Sequence, residues 1–324
     1  MRELSLTVER CELRVPFHIT GHVFTGTDVL LVQLSGNGAT GRGEASGVYY
    51  FDENGASMLE QAESVRQAVE DGISRETLRR LLPSGGARNA IDCALWDLEA
   101  KLSGKSIWQL TGIEPDETRT FQTVGLESPE KMAQWAKSIP GGLIKVKLDG
   151  NGPLERVAAV CNARPDATVI VDCNQGWTFE QLVELAPAFH ELGVAMIEQP
   201  LPRGGDEALE GYVPPLPVCA DESCVDTSEF EQAARRYQMI NIKLDKTGGL
   251  TEALDLASRA RERGIGLMVG NMLGTSLAMA PAFVVAQLCR FTDLDGPLYL
   301  ERDCDHALTY TDGLLSPPTP ALWG

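Results

Sequence analysis

Three acidic residues each end or follow a short apolar segment of the sequence. Asp172 ends ATVIVD, Glu198 ends VAMIE and Asp221 follows PVCA. In neighbouring parallel strands, which lie about 5 Å apart, such carboxylates converge at one edge. Carboxylate oxygens with room for substrate and water favour Mg²⁺ over zinc, and none of the four histidines ends such a segment. The three together predict a magnesium site, whereas one acid alone is more often a helix cap or a solvated loop residue.

Lysines occupy comparable positions in two other segments. Lys145 and Lys147 lie two residues apart in LIKVKL, so strand alternation puts both side chains on one side. Lys243, in MINIKLDK, comes four segments later, which places it across a closed barrel. Lysines on two sides of a metal can remove a proton from one face of a carbon and return it to the other. A basic lysine needs a lowered pKa, which burial favours and the acids oppose; the alternative is that these lysines reach solvent.

Two further acids, Asp293 and Asp295, stand in FTDLDG at the end of the last apolar segment. Alternation along a strand would put both on one side of the backbone. Such a pair can bind a cationic group of a substrate, for example an ammonium group. The alternative is an acidic turn before Gly296 and Pro297.

Apolar segments recur eight times after residue 118, and their polar ends lie 22 to 27 residues apart. These ends are Thr123, Lys147, Asp172, Glu198, Asp221, Lys243, Gly270 and Asp293. A buried strand, a covering helix and two short loops add up to about this length. Because charged groups end most of the segments, we predict an α/β fold with a (β/α)7β TIM-like barrel rather than a doubly wound open sheet.

The first part of the chain has a different pattern. Residues 3–14 and 28–34 are strand-like, whereas residues 56–71 and 88–102 carry apolar side chains at helical spacing. We therefore predict an N-terminal α+β capping domain over residues 1–112. The barrel would occupy residues 113–324, with helical segments between its strands and a proline-rich tail that returns toward the capping domain.

Composition excludes several classes of partner. The chain has 46 acidic and 28 basic residues and a formal charge of -18, which disfavours nucleic acid and anionic membranes. We find no secretion signal and no membrane-spanning segment. Eight dispersed cysteines indicate reduced thiols, so we expect a cytoplasmic protein. A homo-oligomer is compatible with this class of fold, although no segment indicates an interface.

The sequence resembles the muconate-lactonizing branch of the enolase superfamily, and within it the dipeptide epimerases. The resemblance runs essentially end to end, through ARNAIDCALWDLEAKL, KVKLD, VDCNQGW, IEQPLP, ADES, NIKLDKTGGLTEAL and DLDGP. It implies a Mg²⁺-dependent isomerase that moves a proton at the α-carbon of the C-terminal residue of a dipeptide, such as L-Ala-D/L-Glu, through an enediolate. The alternatives are a cycloisomerase, an o-succinylbenzoate synthase, an N-acylamino-acid racemase or a barrel that only binds an acidic ligand.

The resemblance also implies roles for particular residues. The implied Mg²⁺ ligands are Asp172, Glu198 and Asp221, and the implied acid/base catalysts are Lys147 and Lys243. Lys145 would contact the substrate carboxylate and the enediolate. The implied ammonium site is the pair Asp293 and Asp295, and the residues implied to line the dipeptide pocket are Thr123 and Asn271.

Two positions depart from the family pattern. In the predicted specificity loop, residues 16–27, glutamate-selective relatives carry an arginine where this chain has Phe24, and only His22 could supply a cation. Asn271 stands where a cysteine is expected in close relatives. Without that charged partner, a substrate with a glutamate side chain would lose about 1 to 3 kcal/mol of its advantage over other dipeptides. Dipeptides with an apolar or neutral second residue are therefore candidate substrates.

Overall fold

The protein, described here by a computed structural model of residues 2–324, contains three β-sheets. The largest is an eight-stranded parallel sheet that curls on itself. An antiparallel sheet of three strands belongs to the N-terminal part of the chain, and a small third sheet joins the start of the barrel to the tail. No helix within residues 2–324 has the length and apolar character needed to cross a membrane.

The N-terminal sheet is built from three consecutive antiparallel strands. They are β1 (Glu3–Ile19), β2 (His22–Gly36) and β3 (Ala39–Ser46). Five helices follow: α1 (Gly55–Ser64), α2 (Arg66–Glu70), α3 (Arg75–Leu81), α4 (Gly86–Ser103) and α5 (Ile107–Thr111). Strand β3 and helices α3 and α5 were not predicted from the sequence. Strand β3 reads ATGRGEAS, which lacks the β-branched residues that mark a strand.

Two glycines in β3 explain why this segment is short of large side chains. A Cβ atom at Gly41 would lie 2.2 Å from the carbonyl oxygen of Ala94, and one at Gly43 would lie 2.0 Å from that of Ala90. Helix α4 therefore packs directly on the backbone of β3, which only glycine permits at these positions. The apolar side chains of β2 and α4 bury the rest of this contact.

The predicted specificity loop is a hairpin in the structure. Its residues belong to the ends of β1 and β2, and Ile19 pairs with His22 across a two-residue turn. Gly21 in that turn has a φ of 73°, which favours glycine. The pairing register shifts between Glu12 and Phe17, so the hairpin tip is offset from the rest of the sheet. The segment is thus a defined extension of the sheet that lies over the barrel.

The curled sheet contains the eight predicted strands in chain order. They are β5 (Gln122–Val124), β6 (Leu143–Lys147), β7 (Thr168–Asp172), β8 (Ile197–Glu198), β9 (Val218–Ala220), β10 (Met239–Ile242), β11 (Gly266–Val269) and β12 (Phe291–Thr292). The amide of Phe121 donates to the carbonyl oxygen of Thr292 at 2.8 Å, which links the first strand to the last. The barrel fold predicted from the recurrent segments is confirmed.

Helices cover most of the connections between these strands. They are α6 (Pro129–Ser138), α7 (Pro153–Ala163), α8 (Phe179–Glu191), α9 (Phe230–Arg236), α10 (Leu244–Thr247), α11 (Leu250–Glu262) and α12 (Ser276–Ala286). The connection from β8 to β9 contains only a 3₁₀ helix, Glu207–Leu209, so the helix expected there is wrong. Prolines at 200, 202, 214, 215 and 217 explain the difference, because proline removes the N–H donors of a helix.

Short strands complete the barrel part. They are β4 (Thr118–Arg119), β13 (Tyr310–Thr311) and β14 (Leu314–Leu315), which form the third sheet. Inside the barrel, a buried apolar layer includes Phe121 and Phe291, whose rings meet edge to face at 5.6 Å. This layer fills the barrel interior, so polar residues collect only at the carboxyl ends of the strands. All eight cysteines are free.

Helix α4 docks the N-terminal domain onto the barrel. Asn89 donates to Asp245 Oδ1 at 3.1 Å, and Asp92 accepts from the amide and the hydroxyl of Thr251 at 3.0 and 2.6 Å. Arg88 donates to the carbonyl oxygen of Gly248 at 3.2 Å. These contacts fall on the segment that follows Lys243. The ARNAID motif is therefore a docking surface rather than part of the reaction site.

The C-terminal tail also lies against helix α4. The indole of Trp323 donates to the carbonyl oxygen of Cys93 at 3.0 Å, and the amide of Gly324 donates to Asp97 Oδ1 at 2.8 Å. Both Trp323 and Asp97 are buried. The end of the chain thus ties the barrel to the first domain.

A buried carboxyl group, Glu44, forms another contact between the two parts. It is 1% exposed and accepts a hydrogen bond from the amide of Thr275, at the start of α12, at 2.6 Å. Burial raises the pKa of Glu44 to about 7, although the Thr275 hydrogen bonds oppose the shift. The group therefore binds a proton more readily in the folded protein than in the unfolded chain.

We predict that Glu44→Gln changes the pH dependence of stability. Because the folded-state pKa is raised from 4.5 to about 7, the folded protein binds more protons in that range, and its free energy of unfolding falls as pH rises through it. Between pH 5 and pH 8 the wild type should lose on the order of 2 kcal/mol more than the variant. Urea unfolding of both proteins at each pH measures this difference. The exposed Glu60→Gln is the control, and parallel curves for wild type and Glu44→Gln would contradict the prediction.

Candidate active site

The three acids predicted to hold a metal lie at the carboxyl ends of adjacent barrel strands. Asp172 ends β7, Glu198 ends β8 and Asp221 follows β9. Asp172 and Glu198 are direct neighbours in the pairing of their strands. All three are fully buried. Within residues 2–324 no three His, Cys, Asp or Glu side chains are arranged to hold a metal as they stand. Lysines bond to these carboxylates instead.

Lys145 lies at the centre of this group. Its ammonium is 3.1 Å from Asp172 Oδ2, 2.8 Å from Glu198 Oε2 and 2.9 Å from Asp293 Oδ2. Within the described residues, Lys145 is the one donor near Glu198 Oε2, whereas Oε1 accepts from Asn241 at 2.7 Å. One ammonium therefore links the predicted metal site to the acidic pair at the last strand.

The other two lysines lie on either side of the three acids. Lys147, at the end of β6, donates to Asp172 Oδ2 at 2.5 Å and to Asn174 Oδ1 at 3.1 Å. Lys243, directly after β10, donates to Asp221 Oδ2 at 2.6 Å. Both line the same cavity. Two ammonium groups thus approach one space from strands that are four positions apart in the barrel.

Burial and close charges shift the pKa of these acids in different directions. Burial raises the pKa of Asp172, but Lys147 and Lys145 outweigh it and lower that pKa to about 2. Burial and the charge of Asp172 raise the pKa of Glu198. Glu222, beside the cavity, has its pKa raised to about 8 by burial and by the charge of Asp221. Glu198 and Glu222 therefore hold a proton more readily than ordinary carboxyl groups, whereas Asp172 stays ionised.

The pKa of Lys243 differs from the sequence-based expectation. A basic lysine was expected to have a lowered pKa, and burial does act in that direction. The carboxylate of Asp221 outweighs burial and holds the pKa of Lys243 above its ordinary value. The same balance raises the pKa of Lys145, because the charges of Asp293 and the other acids exceed the effect of burial. In this arrangement, then, both lysines are the protonated partners of the acids.

Asp293 and Asp295 both line the cavity, although the strand ends at Thr292. The alternation argument therefore does not apply to them, because Asp295 has helical backbone angles at the start of a short 3₁₀ helix. Asp293 Oδ2 accepts from Lys145, whereas Oδ1 has no hydrogen-bond partner. Burial raises the pKa of Asp293 to about 6. Asp295 Oδ2 accepts from the amide of Thr123 at 2.8 Å.

The remaining predicted pocket residues also line the cavity. Thr123 lies at the first strand and Asn271 follows the seventh, where its amide donates to the carbonyl oxygen of Asp293 at 2.5 Å. Phe24 lines the cavity from the hairpin, and its ring lies 5.4 Å from that of Tyr49. The ring of His22 contacts that of Phe24 in a tilted arrangement, with a centroid distance of 4.2 Å. The side of the cavity that faces the hairpin is therefore aromatic.

Sequence reasoning missed several polar groups of the site. Asn241 donates to Glu198 Oε1 at 2.7 Å, and its position two residues before Lys243 could have indicated it by alternation. Lys246 donates to Asp221 Oδ1 at 2.5 Å and to the carbonyl oxygen of Asn241 at 3.0 Å. Its side chain is fully buried. No sequence pattern marked Lys246, because it lies in a short helix after the strand.

The composition of the site fits a divalent cation. Six buried carboxyl groups meet at this end of the barrel: Asp172, Glu198, Asp221, Glu222, Asp293 and Asp295. The buried ammonium groups there are those of Lys145, Lys147, Lys243 and Lys246. Acidic groups thus outnumber lysines by two. All-oxygen donors of this kind suit Mg²⁺.

Comparison with known protein families agrees with this geometry. Residues 1–112 match the N-terminal domain of the mandelate racemase / muconate lactonizing enzyme family, and residues 131–321 match the enolase C-terminal domain-like family. The chain belongs to this enolase superfamily. The N-terminal match ends at the boundary that the sequence suggested for the capping domain.

Individual relatives match over nearly the whole chain. The L-Ala-D/L-Glu epimerase of Escherichia coli (strain K12) is 44% identical over 319 residues, which are 97% of this chain and 99% of the relative. An N-acetyl-D-glutamate racemase from Pseudoalteromonas sp. is 46% identical over 245 residues, 75% of this chain and 78% of the relative. Both relatives are named for isomerisation at a carbon centre.

Solved structures show the same fold. An enolase family member from Agrobacterium tumefaciens with homology to dipeptide epimerases, bound to sodium and L-Ala-L-Glu, has a TM-score of 0.97 and 40% identity over the full length of both chains. Further dipeptide epimerase structures that match, at 25 to 29% identity, hold Mg and a dipeptide.

We predict that Lys246→Met destabilises the protein strongly. The change removes the lysine donor of Asp221 Oδ1 and of several buried carbonyl oxygens, and breaking a buried ion pair costs about 3 to 5 kcal/mol. Lys131→Met is the matched control, because Lys131 forms an exposed pair with Glu127 and should change stability by less than about 0.5 kcal/mol. Urea unfolding in Mg²⁺-free buffer measures both. Equal stability of the two variants would show that Lys246 has no structural role.

Proposed function

We propose that this chain is a Mg²⁺-dependent dipeptide epimerase that inverts the α-carbon of the C-terminal residue. The observation that carries the proposal is a single cavity with Lys147 on one side, Lys243 on the other, and the free oxygen of Asp293 between the acids and the hairpin. Inversion of a carbon centre requires an acid/base group on each face, which the two lysines supply. A buried carboxylate can bind the positively charged amino group of a substrate. A dipeptide contains both groups that this arrangement requires: a carbon with a removable proton next to a carboxylate, and a free ammonium group.

Asp172, Glu198 and Asp221 are the residues that would hold Mg²⁺. When bound, the cation supplies positive charge beside the substrate carboxylate, where negative charge develops as the α-proton leaves. It also adds the positive charge that the excess of buried carboxyl groups requires. The lysines bonded to these acids would then be released toward the substrate, since the cation replaces them as the counter-charge.

The lysines have separate tasks in the proposed reaction. One of Lys147 and Lys243 takes the α-proton, and the other delivers a proton to the opposite face of the same carbon. Lys145 donates to the substrate carboxylate and stabilises the enediolate. A positioned base contributes about 10² to 10⁴-fold, so electrostatic stabilisation by Lys145 and the cation must supply most of the acceleration. Burial of the whole group strengthens these interactions because it excludes water.

The side chain of the second residue would face the hairpin. The cavity walls there are Phe17, Ile19, Phe24 and Tyr49, and the cations that line the cavity within residues 2–324 are the three lysines of the reaction site. We infer that this chain accepts apolar or neutral side chains at least as well as glutamate. The E. coli relative is named for L-Ala-D/L-Glu, so glutamate belongs in the same test.

A second candidate function is racemisation of an N-acylamino acid. The Pseudoalteromonas relative, at 46% identity, is named an N-acetyl-D-glutamate racemase. Such a substrate has no ammonium group and would use the same metal site and lysines. The acidic pair at the last strand favours the dipeptide, because a buried carboxylate beside an acyl group would have no counter-charge.

We predict that a dipeptide library in D₂O with Mg²⁺ shows gain of one deuterium, read by mass spectrometry. Lys147→Ala and Lys243→Ala should each abolish epimerisation. Each variant should still exchange the α-hydrogen of one epimer for deuterium. The two variants should act on opposite epimers, because the two ammonium groups approach the carbon from opposite sides. Lys131→Ala is the control and should behave as wild type.

The labelled products also report the side-chain preference. Deuterium gain by dipeptides with an apolar second residue would support Phe24 as a specificity residue. Deuterium gain by L-Ala-L-Glu alone would contradict the inferred acceptance of apolar and neutral side chains. No label on any dipeptide, in a folded sample that binds Mg²⁺, would refute the epimerase proposal.

We predict that Asp293→Asn separates the two candidate functions. The asparagine carbonyl can still accept a hydrogen bond from Lys145, but the negative charge that faces the substrate is lost. A dipeptide epimerase should lose at least about tenfold in kcat/KM, since a charged hydrogen bond contributes about 1.5 to 3 kcal/mol. Turnover of N-acetyl-glutamate should be nearly unchanged. Assaying both substrates with wild type and variant decides between the functions, and an unimpaired dipeptide reaction would exclude an ammonium site at Asp293.

A further inference from the structure

Tyr299 lies between the acidic pair and the hairpin and lines the cavity. It ends the short 3₁₀ helix Gly296–Tyr299, which begins directly after Asp295. Its hydroxyl lies 2.9 Å from Asp295 Oδ2 and 2.8 Å from the carbonyl oxygen of Thr123, so two acceptors are within reach of its one proton, and it accepts from the amide of Thr123 at 2.9 Å. The same amide also donates to Asp295 Oδ2. The hydroxyl, the amide and the carboxylate therefore form a closed triangle.

This triangle fixes the direction of the Asp295 carboxylate. Oδ2 is held by Tyr299 and Thr123, which leaves Oδ1 with only a distant contact of 3.5 Å to Asn271 Nδ2. Asp293 is arranged in the same way, since Lys145 holds Oδ2 and Oδ1 has no partner. Each acid of the pair thus keeps one oxygen for a ligand.

The hydroxyl of Tyr299 can donate its proton to the carboxylate of Asp295, and of its two acceptors, this carboxylate and the carbonyl oxygen of Thr123, only the carboxylate carries a charge. Burial and the neighbouring charge of Asp295 raise the pKa of Tyr299 well above its ordinary value. The phenol therefore stays neutral wherever the carboxylate is ionised, and its proton remains available for the hydrogen bond.

The ring of Tyr299 contacts the hairpin that covers the cavity. Its centroid lies 5.2 Å from that of Phe17, in β1 of the N-terminal domain. The next residue, Leu300, forms a backbone bridge with Leu13, and Arg14 donates to the carbonyl oxygen of Leu300 at 2.8 Å. The base of the hairpin and the segment that follows the acidic pair are thus fixed to each other at the tyrosine and at the residue directly after it.

We propose that Tyr299 is a positioning residue, which holds the carboxylate of Asp295 in the direction that binds the substrate ammonium. The contact between the rings of Tyr299 and Phe17 in turn fixes Tyr299 against the hairpin. The proposal rests on the proposed epimerase function and adds a specificity-determining residue to it. Tyr299 distinguishes a free amino group from an acylated one, because a carboxylate fixed by two donors presents one oxygen in a constant direction. Without the hydroxyl, Asp295 can rotate and its second oxygen requires a new donor.

The test is kinetic and uses full-length protein with Mg²⁺. The probes are L-Ala-L-Glu and L-Ala-L-Leu as substrates, with their N-acetylated forms as competing ligands. For Tyr299→Phe we expect the KM of the free dipeptides to rise about tenfold, the effect of losing a hydrogen bond to a charged group. The kcat should stay within about twofold and the inhibition constants of the N-acetylated forms should be nearly unchanged.

Tyr310→Phe is the matched control. Its hydroxyl donates to the carbonyl oxygen of Leu294, between the two acids, at 2.7 Å, but does not contact either carboxylate. This variant should not change the ratio between the affinity for the free dipeptides and the affinity for their N-acetylated forms, even if its melting temperature falls. Phe17→Leu retains the hydroxyl bonds and removes the ring contact, so it should raise the same KM by about threefold.

The outcomes distinguish this proposal from the proposed function. An unchanged KM in Tyr299→Phe, or equal weakening of free and acetylated ligands, would overturn the role of Tyr299 while wild-type turnover upholds the epimerase. Absence of wild-type turnover with every dipeptide would overturn both. If Tyr299→Phe does not fold, Phe17→Leu decides, and an unchanged KM in that variant would overturn the link to the hairpin.

Discussion

Buried charge is the constraint on which the rest of this structure depends. Six carboxyl groups and four ammonium groups lie at one end of a barrel, nearly all shielded from water. Charges in such surroundings are stable only when they are paired and hydrogen-bonded. Lys145 meets this requirement for three acids at once. The excess of carboxyl groups over ammonium groups is the physical reason that the site suits a divalent cation and a substrate with an ammonium group.

The capping domain serves the same constraint. A cavity with this density of charge needs a cover that excludes water, and the hairpin of β1 and β2 supplies it with aromatic side chains such as Phe24. The hairpin must also keep a fixed position relative to the carboxyl ends of the barrel strands. Helix α4 achieves this by bonding to the segment after Lys243, through Asn89 and Asp92. The proposed chemistry therefore depends on contacts between the domains as well as on the barrel.

Much of the fold and the site could be predicted from the sequence. Recurrent apolar segments with polar ends indicated the barrel, and the ends themselves gave Asp172, Glu198 and Asp221. The helix expected between β8 and β9 was wrong, since the spacing matched but the prolines of that segment prevent an α-helix. Strand β3 was missed because its glycines serve contact with α4 rather than strand propensity.

The sequence by itself determined which residues stand at strand ends, because local alternation and segment length encode the face and the end of each strand. Only the tertiary structure decided which of them meet. Lys145 and Asp293 are 148 residues apart, and their contact depends on closure of the barrel. Lys246 and Tyr299 carry no local pattern, since Lys246 bonds to Asp221, 25 residues away, and Tyr299 bonds to Thr123, 176 residues away. The direction of the Lys243 pKa shift was likewise decided by the position of Asp221, because the balance between burial and a neighbouring charge depends on distances that no sequence pattern specifies.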